Sequence, residues 1–368
     1  MASLNYKTDI TFQFLLYLIR KHIHKNNQDY VDQFDIQKIE LVDFDKLFNL
    51  ITYHKVELIV LPIIKEINIP KFDYNRLILR AKKIVTKQLL MEKLLSDILS
   101  KFAEHKIENV VLKGLPLDKK LYGSQGKRVY GDIDILIKEE QLRLAHDLLL
   151  DLGFCLEKDV FSIEFISKHS LLRKGLKDIV YLNKEYNILL ELHWRPFVIG
   201  DLKYDIYNEC SENFQQSSRI YKILKDEYCL SYLIIHGYRS GWHRLKWLID
   251  IVDFIQNIKF DRTRFKQVIF EEFDEYRSVE DLSVLLRDFF EFISYDLGLH
   301  RKNNLFQRYA CKYRVKYIKD IIYERRGLIP LIFKKALYHM LVYPNKYAYL
   351  KTNIIYIPLK KIYLMSKN

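Results

Sequence analysis

Residues Gly131 to Ile137 read Gly-Asp-Ile-Asp-Ile-Leu-Ile, and the strict alternation across Asp132–Ile137 predicts a β-strand. Side chains two apart on a strand share a face, so Asp132 and Asp134 project together while Ile133, Ile135 and Ile137 project the other way. The isoleucine face requires an apolar layer against it. The acid face requires cations or water, because a carboxylate buried without a partner is strongly unfavourable.

The surrounding pattern is a small mixed α/β unit. A second buried strand is expected at Val110, Val111 and Leu112, stopped by Lys113 and Gly114. A short helix from Pro116 to Tyr122, the loop Gly-Ser-Gln-Gly-Lys-Arg-Val-Tyr-Gly and a helix from Glu139 to Leu152, closed by Gly153, follow. Strands at Ile179–Leu182 and Ile188–Trp194, separated by Asn183 to Tyr186, suit a hairpin. Before this unit the apolar spacing predicts helices at Phe12–Ile23, Phe44–Ile64 and Tyr74–Phe102, with Pro62 and Pro70 marking breaks. The helical period returns after about residue 210, most clearly in Glu227–Gly237 and Trp242–Ile255. The expectation is an α+β chain of three units, residues 1–105 helical, 106–208 carrying the sheet, and 209–368 helical with a basic, Tyr-rich end.

A chain of 368 residues with 49% hydrophobic and 29% charged residues is a folded globular protein rather than a disordered or fibrous one. The formal net charge is +13, and it is unevenly placed: residues 301–368 hold 16 Lys plus Arg against Asp320 and Glu324, while the first 300 hold 44 basic and 45 acidic residues. An anionic partner is therefore expected at the C-terminal segment rather than along the whole surface. There Tyr309, Tyr313, Tyr317 and Tyr323 alternate with Lys312, Arg314, Lys316, Lys319, Arg325 and Arg326. That composition suits nucleic acid or an anionic surface, although an amphipathic helix with inward tyrosines is the leading expectation.

Cys155, Cys210, Cys229 and Cys311 are scattered, with no Cys-x-x-Cys pair, and read as reduced and structural. The N-terminal apolar stretch is broken by Gln13 and has no cleavage site, and no window reaches the roughly 20 apolar residues of a membrane span. A cytoplasmic setting is expected.

Two carboxylates on one strand face suit a pair of hard cations about 3.5–4 Å apart, the arrangement used to activate an attacking oxygen and stabilise a leaving pyrophosphate. Glu191, an isolated acid among Leu189, Leu190 and Leu192, is the candidate third ligand. Gly114 permits close backbone approach, and Lys113 and Arg128 offer cations to a triphosphate. The expected site is thus Asp132, Asp134 and Glu191 on Mg²⁺, with Lys113, Gly114 and Arg128 on the phosphates. His193, taken as next to Glu191 on the strand, is expected to point to the opposite face as a core histidine. Of His236, Trp242, His243, Arg244 and Asp250, the tryptophan is expected in the core, and His236 and Arg244 are candidates to face the cleft.

In order and spacing, Lys113-Gly114, Arg128, Gly131 to Leu136 and Glu191-Leu192-His193-Trp194 resemble the uncharacterised bacterial nucleotidyltransferases of the DNA polymerase β superfamily. The similarity spans roughly residues 105–255. It implies a polymerase β-like palm, divalent metal and a nucleoside triphosphate. The chain departs from the wider superfamily in having Leu115 after Gly114, where Ser or Gly is usual, and 16 residues from there to Asp132. The expected activity is Mg²⁺-dependent transfer of a nucleotidyl group to an unidentified acceptor hydroxyl or amine, a small molecule, peptide or RNA. The alternatives are a phosphotransferase on the same scaffold and a catalytically silent binding module.

Overall fold

The computed structural model describes residues 6–69, 71–123, 126–157, 162–168, 176–197, 205–216, 219–292 and 305–323. Four helices lead: α1 (Ile10–Ile23), α2 (Phe44–His54), α3 (Glu57–Ile67) and α4 (Tyr74–Glu104). Three of them start on an aspartate whose carboxylate accepts from the first free amides: Asp9 for α1, Asp43 for α2 and Asp73 for α4. The expected break at Pro62 is not there, since Pro62 lies inside α3. The chain instead turns at Lys55, which takes the left-handed conformation with φ +56° at the end of α2. Pro70 lies outside the described residues.

The central elements are β1 (Asn109–Val111), α5 (Leu115–Tyr122), β2 (Asp132–Ile137), α6 (Leu142–Asp151), β3 (Phe154–Leu156), α7 (Ile163–Lys168), β4 (Asp178–Asn183) and β5 (Ile188–His193). Two further strands, β6 (Ser211–Gln216) and β7 (Arg219–Leu224), stand where only helix was expected. Helices α8 (Asp226–Arg239), α9 (Leu245–Asn257), α10 (Arg262–Lys266, continued by a wider turn through Glu272), α11 (Tyr276–Phe290) and α12 (Leu305–Tyr323) complete the chain. None of the described helices is long and apolar enough to cross a membrane.

One seven-stranded mixed sheet runs in the order β3-β4-β5-β2-β1-β7-β6. β2 is central, antiparallel to β1 and parallel to β5. The hairpin expected between β4 and β5 is present, with Asp178 opposite His193. Its two faces meet different cores. Ile133, Ile135 and Ile137 pack with Met91, Leu95 and Ile98 of α4 and with Leu142 and Leu149 of α6. Leu136, on the face of Asp132 and Asp134, joins a larger core in which Phe12 and Leu16 of α1 lie with Leu248 and Ile249 of α9 and Leu282 and Phe289 of α11. The first and last helices therefore form one layer, tied by Arg20 to the Phe289 carbonyl and by His22 to Asp253. In α12, Tyr317 is buried, Arg314 pairs with buried Asp281, and Tyr309 is 70% exposed, which is amphipathic packing. Arg325, Arg326 and the rest of the basic end lie outside the described residues.

Candidate active site

The acid face of β2 opens onto the helical layer. Leu112 donates its amide to the Asp134 carbonyl, extending the β1–β2 pairing by one residue and delivering Lys113 beside the carboxylates. Its Nζ lies 2.6 Å from Asp134 Oδ2 and 3.5 Å from Asp132 Oδ2. Gly114 then turns the chain straight into α5 with φ +78°, where a Cβ would be strained whatever the space. A small cleft lined by Met91, Leu95, Gly114, Tyr130, Asp132 and Asp134 marks this turn.

Parallel pairing sets Asp134 opposite Glu191 on one face. His193 is two residues beyond Glu191, not one, and so shares that face; the expectation that it points away is corrected by strand periodicity. Its Nε2 lies 3.3 Å from Glu191 Oε2 and 3.4 Å from Asp134 Oδ1. The ligand atoms of Asp134, Glu191 and His193 all fall within 4.8 Å of one another. Behind them Nδ1 of His193 is 3.6 Å from Asp178, which also pairs with Lys177.

Burial would raise the pKa of all three acids, but nearby positive charge and hydrogen bonds outweigh it. Asp134 is lowered by Lys113 and His193. Asp132, raised further by Asp134, is still lowered by Lys113, Lys246 and Lys55. Glu191 is held down to about 2 by the His193 hydrogen bond, Lys177 and Lys113. The mirror image holds for Lys113, where burial opposes the charge and Asp134 and Asp132 more than restore it. The trio is therefore ionised at neutral pH.

Arg128, expected on a phosphate, is instead sealed in. It is 3% exposed, and its Nε sits 3.0 Å from both carboxylate oxygens of Asp250 in α9. Its loop is fixed from the other side by Asp118, which accepts from the amides of Lys127 and Arg128. Lys246, beside it, donates to the Val129 carbonyl. Half-buried His236 lies against Tyr232 and Trp247, and burial, then Lys113 and Lys177, push its pKa well down. Trp242 is fully buried as expected, and His243 stands edge-on to Trp247. The i, i+2 spacing of Glu191 and His193 is the signal that places this histidine in the site, whereas Lys55, Lys246 and Tyr232 carry no such signal and only the fold brings them near.

These residues fit a divalent cation. Two ionised carboxylates and an imidazole converge within ligand distance of one another, and an ammonium already bridges Asp134 and Asp132, so the carboxylates are disposed to share a cation. Oxygen donors predominate, as a hard ion requires.

The sequence model of a family described as uncharacterised nucleotidyltransferase matches residues 40–287. The chain belongs to this family. The match includes the whole described site, from Lys55 to Asp250, and the α+β fold with its mixed sheet is that of a nucleotidyltransferase. Among solved structures, the lincosamide antibiotic adenylyltransferase LnuA with lincomycin bound is similar at 18% identity and a TM-score of 0.34, over 45% of this chain and 98% of that one. No curated protein matches.

Proposed function

We propose that this nucleotidyltransferase moves a nucleotidyl group from a Mg²⁺-bound nucleoside triphosphate to an acceptor hydroxyl or amine, within the cytoplasmic setting expected from its sequence. The observation that carries the reading is the convergence of Asp134, Glu191 and His193 beside the Asp132–Lys113–Asp134 bridge. Asp132 and Asp134 would hold the ions jointly, and Glu191 would complete the site on the acceptor side. The ions would neutralise charge on the triphosphate and on the attacking and leaving oxygens.

The chain's own groups divide the remaining work. Glu191, with a pKa of about 2, acts as an ionised ligand rather than as a proton acceptor, because so weak a base takes little of an acceptor's proton. His193 orients both Asp134 and Glu191 through Nε2. Lys113 is the cation whose place on Asp134 a divalent ion would take, leaving its ammonium for a phosphate oxygen. Arg128 acts as a positioning residue that holds the Gly126–Gly131 loop to α9 through Asp250. The division of the chain follows the same logic: we place the palm from residue 106, and the pairing of β7 with β1 supports carrying it through Leu224 rather than ending it at 208.

The test is incubation of the purified protein with Mg²⁺ and α-³²P- or γ-³²P-labelled triphosphates, with cell extract supplying acceptors. Transfer from the α position by wild type and not by Asp132→Asn/Asp134→Asn is the expected result. Transfer from the γ position alone would replace this proposal with a phosphotransferase.

A further inference from the structure

Both cations expected on the triphosphate are already engaged, Arg128 by Asp250 and Lys113 by the β2 carboxylates. Two others are not. Lys55, in the turn between α2 and α3, places its ammonium against Gly131, where a Cβ would lie 3.3 Å from Nζ. Among the described residues its ammonium has no hydrogen bond or ion pair, and its charged neighbours are Arg244, Arg128, Lys113 and Lys246 against the acids Asp132 and Glu57. Arg244, at the start of α9, has a buried Nε with no partner, and Arg128 has a buried Nη1 in the same state. Burial and these like charges hold the Lys55 pKa down to about 8. A group of buried N–H donors with surplus positive charge is unfavourable until an anion joins it.

We propose that Lys55 and Arg244 form an anion seat beside Asp132 that receives the outer phosphates of the nucleoside triphosphate. The inference rests on the reading above and adds its phosphate-binding residues, both drawn from the helical layer, one preceding the sheet in the chain and one following it. A phosphate offers several charged acceptors at once, so it can satisfy Lys55 Nζ and Arg244 Nε together. A Cβ at position 131 would lie 3.3 Å from the ammonium, so a side chain there would have to displace it by a few tenths of an ångström.

The experiment is calorimetric titration of the full chain with inorganic tripolyphosphate and with MgATP, for wild type, Lys55→Met, Lys55→Arg, Arg244→Gln and the surface control Lys38→Met. Lys55→Met and Arg244→Gln should each weaken tripolyphosphate binding by about 10-fold or more, the loss expected for one charge-assisted hydrogen bond. Lys55→Arg should recover most of that binding, Lys38→Met should bind as wild type, and Mn²⁺ binding to the carboxylates should change less than about twofold. Without ligand, Lys55→Met should melt at or above the wild-type temperature, because it removes a buried charge that lacks a partner. Wild-type affinity in both variants, or a large fall in melting temperature alongside lost binding, overturns the seat while leaving nucleotidyl transfer standing. Failure of the wild type to bind any triphosphate overturns both readings.

Discussion

Two buried cation–carboxylate contacts lie at either end of the segment joining β1 to β2, and they differ in what surrounds them. Arg128 and Asp250 match one charge with one charge inside protein, at 3% and 4% side-chain exposure. Lys113 faces two carboxylates, with Glu191 and His193 beyond, and Asp132 is open to the cleft at 34%. The first contact is closed and neutral. The second has acid to spare and an opening, which is the state of a site that can exchange its cation. Burial alone does not separate a structural ion pair from a catalytic one; the local charge balance and access do.

That contrast can be broken most directly by removing one side of each contact. Asp134→Asn should cut nucleotidyl transfer by about 1,000-fold, on the order of 4 kcal/mol of barrier, with the fold retained in circular dichroism. Full activity in that variant would end the catalytic assignment. Arg128→Ala should lower stability by about 3–5 kcal/mol in denaturant titration, because it strands Asp250 in the interior. A loss below about 1 kcal/mol there, with activity gone, would return Arg128 to the substrate side. His193→Gln should weaken Mn²⁺ binding by about 10-fold, measured by electron paramagnetic resonance, as expected when a group orienting two ligands is changed.

The remaining prediction concerns stability rather than chemistry, at a histidine outside the carboxylate site. His54 is fully buried, accepts a hydrogen bond from the Leu245 amide at Nδ1, and is pushed down to about 3 by burial and then by Arg244 and His243. Below its ordinary 6.5 the unfolded chain takes up a proton that the folded chain refuses. Stability should therefore fall as pH drops from about 6.5 toward 3, by up to about 1.4 kcal/mol per unit from this group. His54→Asn, which can keep an acceptor for Leu245, should flatten that part of the stability profile; an unchanged slope would show that other groups carry it.

Much of the palm was legible because it is made of local patterns. The alternation of Asp132–Ile137, the unbroken helical spacing of α4 and the short polar interval between β4 and β5 each specify their own geometry. Strand β6 was not legible, since Ser211–Gln216 is largely polar and forms a sheet edge where one face and one side need no apolar partner, and β7, which pairs with β1 through Ile223 and the distant Val111, lost its hairpin signal with it. Pro62 does not end its helix although it sits at the centre of it: the proline removes one amide from the ladder, while the neighbouring apolar residues Ile59, Val60 and Ile64 anchor the helix in the core. His193 was within reach, as two residues along a strand always share a face.

By itself, the sequence determined the acid strand, its glycine entry, the Lys-Gly turn and the family these belong to, because each depends on residues close together in the chain. Only the tertiary structure decided which charges are available for chemistry. Arg128 meets Asp250 122 residues away, and Lys55 reaches Gly131 from the opposite side of the sheet in chain order. A side chain's charge is written in its residue type, but whether another charge already satisfies it depends on distance and exclusion of water, and both are properties of the assembled fold.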